Sequence, residues 1–190
     1  MTSICLIRHG ETDWNALGKL QGRTDIPLNK NGIQQVEECR EFLKASRWDA
    51  IITSPLMRAK QTAEIINEDL HIPIVEMEEF IERSFGQAEG MTLQERLSVY
   101  PDKKYPLQED RLSLNKRVMA GLDRVNKKYK NGKVLVVAHG AVINSILAIV
   151  SNGEIGSGKT KLSNACLSNI HYHKEKWEIN DFNQVSHLSR

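Results

Sequence analysis

Two histidines, His9 and His139, occur in closely similar settings. Each follows a short apolar run and precedes a glycine, in the sequences ICLIRHG and VLVVAHG. Such runs predict buried β-strands, and ligands of open α/β sheets bind beyond the carboxyl ends of the strands. If the two strands are neighbours, both imidazole rings face one pocket, and the glycines Gly10 and Gly140 let a ligand approach the backbone closely.

Two arginines are expected at the same edge of the sheet. Arg8 directly precedes His9, and Arg58 lies about one turn inside a helix that is predicted to follow a strand. Arginines and histidines that converge away from water repel one another unless an anion balances their charge. The guanidinium fork matches the oxygens of a phosphoryl group, so the four residues predict a phosphate pocket. A pair of hydrogen-bonded structural histidines is the alternative interpretation.

The apolar residues between these motifs recur at spacings that predict alternating strands and helices. Strands are predicted at 4–8, 50–53, 72–75, 134–138, 167–172 and 177–179, and helices at about 30–43, 55–70, 93–99, 114–129 and 141–150. Asn29 is the predicted N-cap of the first helix, whose inner face is predicted from the helical spacing of Ile33, Val36, Cys39 and Leu43. The Ser54 hydroxyl and Pro55 are predicted to begin the helix that carries Arg58. This alternation predicts an α/β fold with a largely parallel sheet.

Size and composition exclude several classes of protein. The 190 residues suit one domain, 1–190. Basic and acidic residues alternate to give a net charge of +2, without the basic stripe typical of nucleic-acid binding. The scattered Cys5, Cys39 and Cys166 predict neither a disulfide framework nor a zinc site. Free thiols are typical of a reducing compartment, and the apolar runs are too short to span a bilayer. We therefore expect a soluble cytoplasmic protein that binds neither nucleic acid nor membranes.

Four motifs, in order, resemble those of the histidine phosphatase superfamily, which is also called the phosphoglycerate mutase-like family. They are RHGETDWN at 8–15, SPLMRAKQTAE at 54–64, ERSFGQAEG at 82–90 and VVAHGAVI at 136–143. The resemblance covers nearly the whole chain. It implies a three-layer α/β/α sandwich with a mostly parallel sheet and a small lid insertion at approximately 78–112.

The resemblance also implies a role for each matching residue in the hydrolysis of a small phosphomonoester. His9 is the expected nucleophile, which forms a phosphohistidine intermediate, and Glu82 is the expected general acid and base. The phosphoryl oxygens are expected to bind Arg8, Arg58 and His139, with help from Asn15, while Gln21, Gly22 and Gly140 lie close to the substrate. No metal ion or other cofactor is expected, because the arginines neutralise the charge on the transferring group.

Two positions depart from the family pattern. Ala88 stands where many relatives have tryptophan, and Glu109 keeps only the middle position of a Gly-Glu-Ser turn that related phosphatases often carry. We expect both positions to affect substrate choice rather than the chemical step. A solvated loop carboxylate is the slightly favoured interpretation of Glu109.

Two other functions use the same pocket. A cofactor-dependent phosphoglycerate mutase must hold the phosphohistidine while its substrate reorients, but mutases of this family are longer and carry paired arginines after the acid motif. That segment is missing here, which favours a phosphatase. A non-catalytic protein that binds phosphorylated ligands is the second alternative, and the complete catalytic set argues against it.

Two further patterns suggest other sites. GEIGSGKT at 153–160 satisfies the pattern of a nucleotide-binding P-loop, but a P-loop must leave a strand and enter a helix. Here a helix is predicted before the segment and a strand after it, which indicates a Gly-rich loop. His171 and His173 are expected on one face of a strand, where two ligands without a third more often mark surface residues than a metal site.

Overall fold

The computed structural model describes residues 1–189, which contain a six-stranded sheet. Its strands are β1 (Thr2–Arg8), β2 (Ala50–Thr53), β3 (Ile74–Glu76), β4 (Lys133–Ala138), β5 (Leu167–His173) and β6 (Lys176–Gln184). Their order across the sheet is β3-β2-β4-β1-β5-β6. β3, β2, β4 and β1 are parallel, β5 pairs with β1 in antiparallel orientation, and β6 pairs with β5 in antiparallel orientation.

The helices lie on both faces of the sheet. They are α1 (Asp13–Ala16), α2 (Lys30–Leu43), α3 (Met57–Leu70), α4 (Leu93–Val99), α5 (Arg111–Lys128) and α6 (Gly140–Val150). Between β3 and α5, in the segment predicted as a lid, two short 3-10 turns at Glu78–Phe80 and Gly86–Ala88 accompany α4. The α/β/α sandwich with a mostly parallel sheet is therefore confirmed.

The central strands are buried on both faces, which explains why they appear in the sequence as continuous apolar runs. Side chains alternate between the two faces of a strand. In β4, Val134 and Val136 pack in the core under α5 and α6, while Leu135 and Val137 pack in the core under α2 and α3. Burial on both faces fixes the register between β1 and β4. The register in turn sets the positions of the histidines that follow the two strands.

The start of α3 differs from the prediction. The helix begins at Met57 instead of directly after Ser54, and its N-cap residue Leu56 makes no side-chain capping bond. Asp25, from a distant loop, accepts a hydrogen bond from the backbone N–H of Met57 at 2.7 Å. The Ser54 hydroxyl accepts from the backbone N–H of Leu56 at 3.3 Å and also lies 2.7 Å from Nε2 of His139. It therefore orders the turn before α3 and the histidine ring instead of capping the first turn of the helix.

Two other expectations also need correction. Ile33 was predicted on the inner face of α2, but its side chain is 40% exposed, and Gly32 and Val36 face the core instead. The third strand begins at Ile74 rather than at residue 72. Pro73 accounts for this shift, because proline has no N–H to donate to a strand ladder.

The Gly-rich loop does not have the geometry of a P-loop. Residues 153–160 follow α6, form turns and lead to β5, so no helix receives the loop. The ammonium group of Lys159 donates to the carbonyl of Gly153 at 2.5 Å. Within residues 1–189, no helix is long and apolar enough to span a bilayer.

Close packing of the backbone after β1 depends on two glycines. A Cβ at Gly32 would lie 2.1 Å from the carbonyl oxygen of Glu11, and a Cβ at Gly10 would lie 2.6 Å from the carbonyl oxygen of Gly32. Both neighbours are backbone atoms, which cannot rotate away as a side chain can. The first turn of α2 therefore supports the backbone that directly follows His9.

This contact predicts that Gly32→Ala lowers the stability of the protein. Alanine normally favours a helix over glycine by about 1 kcal/mol, but here the added methyl group must displace the Glu11 backbone. We expect the free energy of unfolding to fall by about 2 kcal/mol, as measured by chemical denaturation. The neighbouring exposed Asn31→Ala is the control and should leave stability unchanged or slightly raised. A stabilising Gly32→Ala would contradict the predicted contact.

Candidate active site

The two histidines lie side by side at the carboxyl edge of the sheet. β1 and β4 pair in parallel with Arg8 opposite Ala138, so the residues that follow are neighbours. The centroids of the His9 and His139 rings are 5.2 Å apart, and both side chains are buried. The expectation that the strands are adjacent and that the two rings meet is confirmed by this pairing.

The hydrogen bonds of His9 identify the tautomer of its ring. Nδ1 lies 2.7 Å from the carbonyl oxygen of Gly10, and because a carbonyl only accepts, Nδ1 carries the proton. Nε2 is therefore unprotonated, and it accepts from Nε of Arg58 at 3.3 Å. Burial, together with the charges of Arg58 and Arg8, holds the pKa of His9 well below its usual value. A neutral imidazole with an unprotonated ring nitrogen is the form required of a nucleophile.

His139 has one fixed ring nitrogen and one without a partner. Its Nε2 lies 2.7 Å from the Ser54 hydroxyl, and its Nδ1 is buried and makes no hydrogen bond to any residue in 1–189. Burial first, and then the charge of Arg58, lowers its pKa well below the usual range. When Ser54 donates to Nε2, the proton resides on Nδ1, which can then donate to an oxyanion.

Arg58 is only 1% exposed, and hydrogen bonds to protein groups hold its side chain in place. It is the second residue of α3, and besides His9 its guanidinium donates to the carbonyl oxygens of Gly22 at 2.6 Å and Thr24 at 2.8 Å. Burial lowers its pKa to about 10, so the group remains charged at neutral pH. The sequence placed Arg58 at this edge correctly, but gave no indication of the carbonyl groups that hold it.

Arg8 approaches the histidines from the end of β1. Its guanidinium donates to the carbonyl of Leu162, and its Nε is buried and unpartnered within the described part of the chain. A Cβ at Gly140 would lie 3.5 Å from this Nε. Arg8 Nε and His139 Nδ1 are thus two buried polar atoms without protein partners in one site, as expected where a ligand completes the hydrogen bonding.

Glu82 comes from outside the sheet and reaches the start of α6. Its carboxylate accepts from the backbone N–H groups of Ala141 at 3.1 Å, Val142 at 3.2 Å and Arg83 at 2.9 Å. Burial raises its pKa above the usual value, although these hydrogen bonds and the charges of Arg58 and Arg8 act in the opposite direction. A buried carboxyl group with a raised pKa is suited to donate a proton and later accept one.

The other predicted site residues lie around α1. Asn15 closes the capping box of this helix, where its Oδ1 accepts from the Thr12 N–H at 3.0 Å and the Asn164 amide at 3.2 Å. Gln21 is buried and accepts from the Thr12 hydroxyl at 2.7 Å. Gly22 supports Arg58 through its carbonyl group. Of these three residues, Gly22 therefore contacts the charged groups directly, and the other two order the loop beside them.

Glu109 is not the solvated carboxylate that was slightly favoured. Its side chain is 10% exposed and forms a two-pronged ion pair with Arg117 of α5, with both N–O distances at 2.8 Å. Burial alone would raise the pKa of Glu109, but the hydrogen bonds and charge of Arg117 hold it below the usual value. Arg117 also donates to the carbonyls of Glu79 and Ile81. The pair therefore braces the segment that leads into Glu82.

The possible metal site at His171 and His173 gains no third ligand. The two ring centroids are 6.4 Å apart, and His171 contacts Asn180 and Glu178 instead. The described residues contain no group of three or more histidine, cysteine or acidic side chains that could hold a metal ion. The pair is part of the surface of β5.

Comparisons with known proteins agree with the geometry of the site. The family profile described as histidine phosphatase superfamily (branch 1) matches residues 4–185. The chain is 57% identical over 189 residues to the Bacillus subtilis protein named uncharacterized phosphatase PhoE, covering 100% of this chain and 98% of that protein. It is 34% identical to a metal-independent phosphoserine phosphatase of Arabidopsis thaliana, with 100% and 84% covered.

A solved structure gives the same result. The crystal structure of a mutant phosphoserine phosphatase from Entamoeba histolytica in complex with phosphoserine matches with a TM-score of 0.86 at 31% identity. The match covers 99% of this chain and 100% of that one. The likeness therefore extends over the sheet, both helical layers and the segment between β3 and α5.

The two buried histidines predict that mild acid destabilises the fold. Because the pKa values of His9 and His139 are lowered in the folded state, the unfolded chain binds more protons than the folded chain below about pH 6.5. Each histidine then lowers the free energy of unfolding by up to about 1.4 kcal/mol per pH unit, until the pH reaches the folded-state pKa. Denaturation curves at about pH 7 and pH 5.5 measure the loss.

His139→Gln isolates the contribution of one ring. The carboxyl groups, including Glu82, affect the pH dependence of stability in both proteins, so a difference between the two proteins reports the histidine. This variant should lose less stability between the two pH values than the wild type. The exposed His71→Gln is the matched control and should behave as the wild type does. An identical pH dependence in the wild type and His139→Gln would rule out a buried neutral ring at this position.

Proposed function

The chain belongs to the histidine phosphatase superfamily, and we propose that it hydrolyses small phosphomonoesters through a phosphohistidine intermediate on His9. The phosphatases among its relatives support a phosphoric monoester hydrolase. One observation carries the assignment of the nucleophile: Nδ1 of His9 is engaged by the Gly10 carbonyl, so the lone pair of Nε2 is directed to the site that Arg58 and His139 share.

In the first step the phosphoryl group binds between the two arginines. Arg8 and Arg58 neutralise its negative charge, and Nδ1 of His139 and the amide of Asn15 donate to its oxygens. Nε2 of His9 attacks the phosphorus as the bond to the ester oxygen breaks. Glu82 gives its proton to that oxygen, so the leaving group departs as a neutral alcohol and Glu82 becomes a carboxylate.

In the second step water replaces the imidazole. The Glu82 carboxylate removes a proton from the water molecule, whose oxygen attacks the phosphorus of phospho-His9. The P–N bond breaks and its electron pair returns to Nε2. Inorganic phosphate leaves, and both His9 and Glu82 regain the protonation states in which they began. The balance requires the ester and water alone.

We propose that catalysis needs no metal ion. The two arginines provide the positive charge that a metal ion would otherwise supply to the transferring group. The Arabidopsis thaliana relative is described as metal-independent, which supports this view. Hydrolysis should therefore continue in the presence of EDTA.

The named relatives suggest where to begin the search for a substrate. Phosphoserine, the ligand in the Entamoeba histolytica complex, is a small alkyl phosphomonoester, and we propose molecules of this class as the binding partners, rather than nucleic acid or membranes. We take the segment at 78–112 as a lid that belongs to one domain, 1–190. We propose a cytoplasmic location, because Cys5, Cys39 and Cys166 are free thiols, as is usual in a reducing compartment.

His9→Ala is expected to abolish turnover and labelling. Without Nε2 there is no atom to accept the phosphoryl group, so we expect phosphate release to fall by at least about 10⁴-fold. The measurements are phosphate release from a panel of phosphomonoesters and acid-labile labelling by a ³²P-phosphomonoester. Lys159→Ala, in the Gly-rich loop, is the control and should keep full activity. Phosphate release by His9→Ala near the wild-type rate would exclude His9 as the nucleophile.

Glu82→Gln is expected to slow alkyl phosphates more than aryl phosphates. An alkoxide needs a proton as it leaves, whereas a phenolate needs far less help, and general acid catalysis contributes about 10²- to 10⁴-fold. The measurement is kcat for phosphoserine and kcat for p-nitrophenyl phosphate, each compared between the wild type and Glu82→Gln. Equal losses on the two substrates would show that Glu82 is not the acid in the first step.

A 3-phosphoglycerate assay separates the phosphatase from the mutase. The proposed enzyme releases phosphate faster than it forms 2-phosphoglycerate. The reverse order would favour the mutase, and binding of either compound without any turnover would favour a non-catalytic protein.

A further inference from the structure

We propose that Glu89 is a positioning residue that holds Arg58 and the Glu82 segment in their catalytic arrangement, an inference that rests on the proposed function. Glu89 lies in the motif that contains Glu82, seven positions further along the chain. It does not contact His9, and its action is exerted through hydrogen bonds to two loops. These loops supply the two halves of the site, the phosphate clamp and the acid.

The carboxylate of Glu89 accepts four hydrogen bonds. Oε1 accepts from the Thr24 N–H at 3.0 Å and from the Thr24 hydroxyl at 2.6 Å. Oε2 accepts from the N–H groups of Arg23 at 3.1 Å and Phe85 at 2.9 Å. Both oxygens are therefore saturated by protein donors, which is the pattern of a carboxylate that orders its surroundings.

The loop that Glu89 holds is the one that fixes Arg58. The carbonyls of Gly22 and Thr24 accept hydrogen bonds from the two terminal guanidinium nitrogens of Arg58. The backbone N–H groups of Arg23 and Thr24 donate to Glu89. The same short loop thus binds a carboxylate through its N–H groups and a guanidinium through its C=O groups. Removal of the carboxylate releases the loop, and with it the Arg58 side chain that contacts His9.

Gly22 shows how closely the carboxylate approaches this loop. Its φ angle is +55°, and a Cβ at this position would lie 2.1 Å from Oε2 of Glu89. A side chain cannot be accommodated while the carboxylate makes its present contacts. The positive φ angle and the close carboxylate both favour glycine at this position.

Glu89 also connects this loop to the acid. Its Oε2 accepts from both Arg23 in one loop and Phe85 in the other, and Nε of Arg23 donates to the backbone carbonyl of Glu82 at 3.1 Å. Burial lowers the pKa of Arg58, and nearby negative charges raise it again. Glu82 and Asp25 contribute most to this increase, and Glu89 adds to it. The clamp and the acid are thus held relative to one another by one side chain.

Glu89→Gln tests the role with little change of shape. The substitution places an NH₂ group opposite backbone N–H donors, so at least one contact becomes repulsive. We expect kcat for p-nitrophenyl phosphate to fall about 10- to 100-fold, because small displacements of binding groups are costly to catalysis. Glu95→Gln is the matched control in the same segment, where the exposed Glu95 carboxylate accepts only from Thr92, and it should leave kcat unchanged.

A double-mutant cycle distinguishes positioning from general stabilisation. Arg58→Lys removes the forked guanidinium that the loop holds. If Glu89 acts through Arg58, adding Glu89→Gln to Arg58→Lys should reduce kcat by less than about threefold further. Full additivity of the two losses, or activity of Glu89→Gln within twofold of the wild type, overturns the proposal.

An oxyanion provides a readout that does not require turnover. Orthovanadate should raise the melting temperature of the wild type, and this rise should shrink in Glu89→Gln but persist in Glu95→Gln. An equal vanadate shift in Glu89→Gln and the wild type counts against the proposal. If the wild type binds vanadate but hydrolyses no phosphomonoester, the proposed function fails while the role of Glu89 in ordering the clamp is still tested.

Thr24→Val covers the case in which Glu89→Gln does not fold. It removes the hydroxyl that donates to Oε1 and preserves the backbone carbonyl that holds Arg58. A several-fold fall in kcat together with a smaller vanadate shift is expected. Wild-type values for both measurements would contradict the role assigned to Glu89.

Discussion

The burial of the Arg58 guanidinium is the constraint on which the rest of the site depends. A charged group that is 1% exposed has lost nearly all its hydration, which is costly unless protein dipoles or opposite charges replace the water. Two backbone carbonyls and Nε2 of His9 accept hydrogen bonds from three of its N–H groups, and Glu82, Asp25 and Glu89 supply negative charge nearby. The loop around Gly22 is shaped to bring these groups to one guanidinium.

The same burial has opposite effects on the two kinds of titrating group in the site. It favours the neutral form of each, so it lowers the pKa of His9 and His139 and raises that of Glu82. A neutral imidazole retains the lone pair that a nucleophile needs, and a raised carboxyl pKa favours the form that can give a hydrogen to a leaving oxygen. Burial therefore shifts both groups toward the forms that we propose for catalysis, and the arginines remain charged because their intrinsic pKa is so high.

Much of this arrangement was predictable from local sequence. The strands that end in His9 and His139 are apolar runs buried on both faces, and Arg58 follows a strand at a helix start, so parallel pairing brings the three to one edge. The start of α3 was misplaced because the Ser54 hydroxyl orders the turn before the helix, through the N–H of Leu56, and also contacts His139, a partner 85 positions away. Glu82 became a candidate only through the family resemblance, since no local pattern places residue 82 at the start of α6. The ion pair of Glu109 with Arg117 likewise depends on how α5 packs against the turn at Glu78–Phe80.

The division of the site between two parts of the fold has a consequence for substrate choice. The groups that we propose bind the phosphoryl oxygens are attached to strand ends and helix starts, where sheet register fixes their separation. Glu82, the proposed acid, and the proposed surroundings of the leaving group come from the segment between β3 and α5. Ala88 is fully buried there, and both oxygens of Glu109 are occupied by Arg117, so neither side chain offers a free group to a substrate. Their influence must instead be exerted through the shape and position of the segment. Replacements in this segment can change the space for the alcohol portion of the ester, while the strand register keeps the phosphate clamp intact.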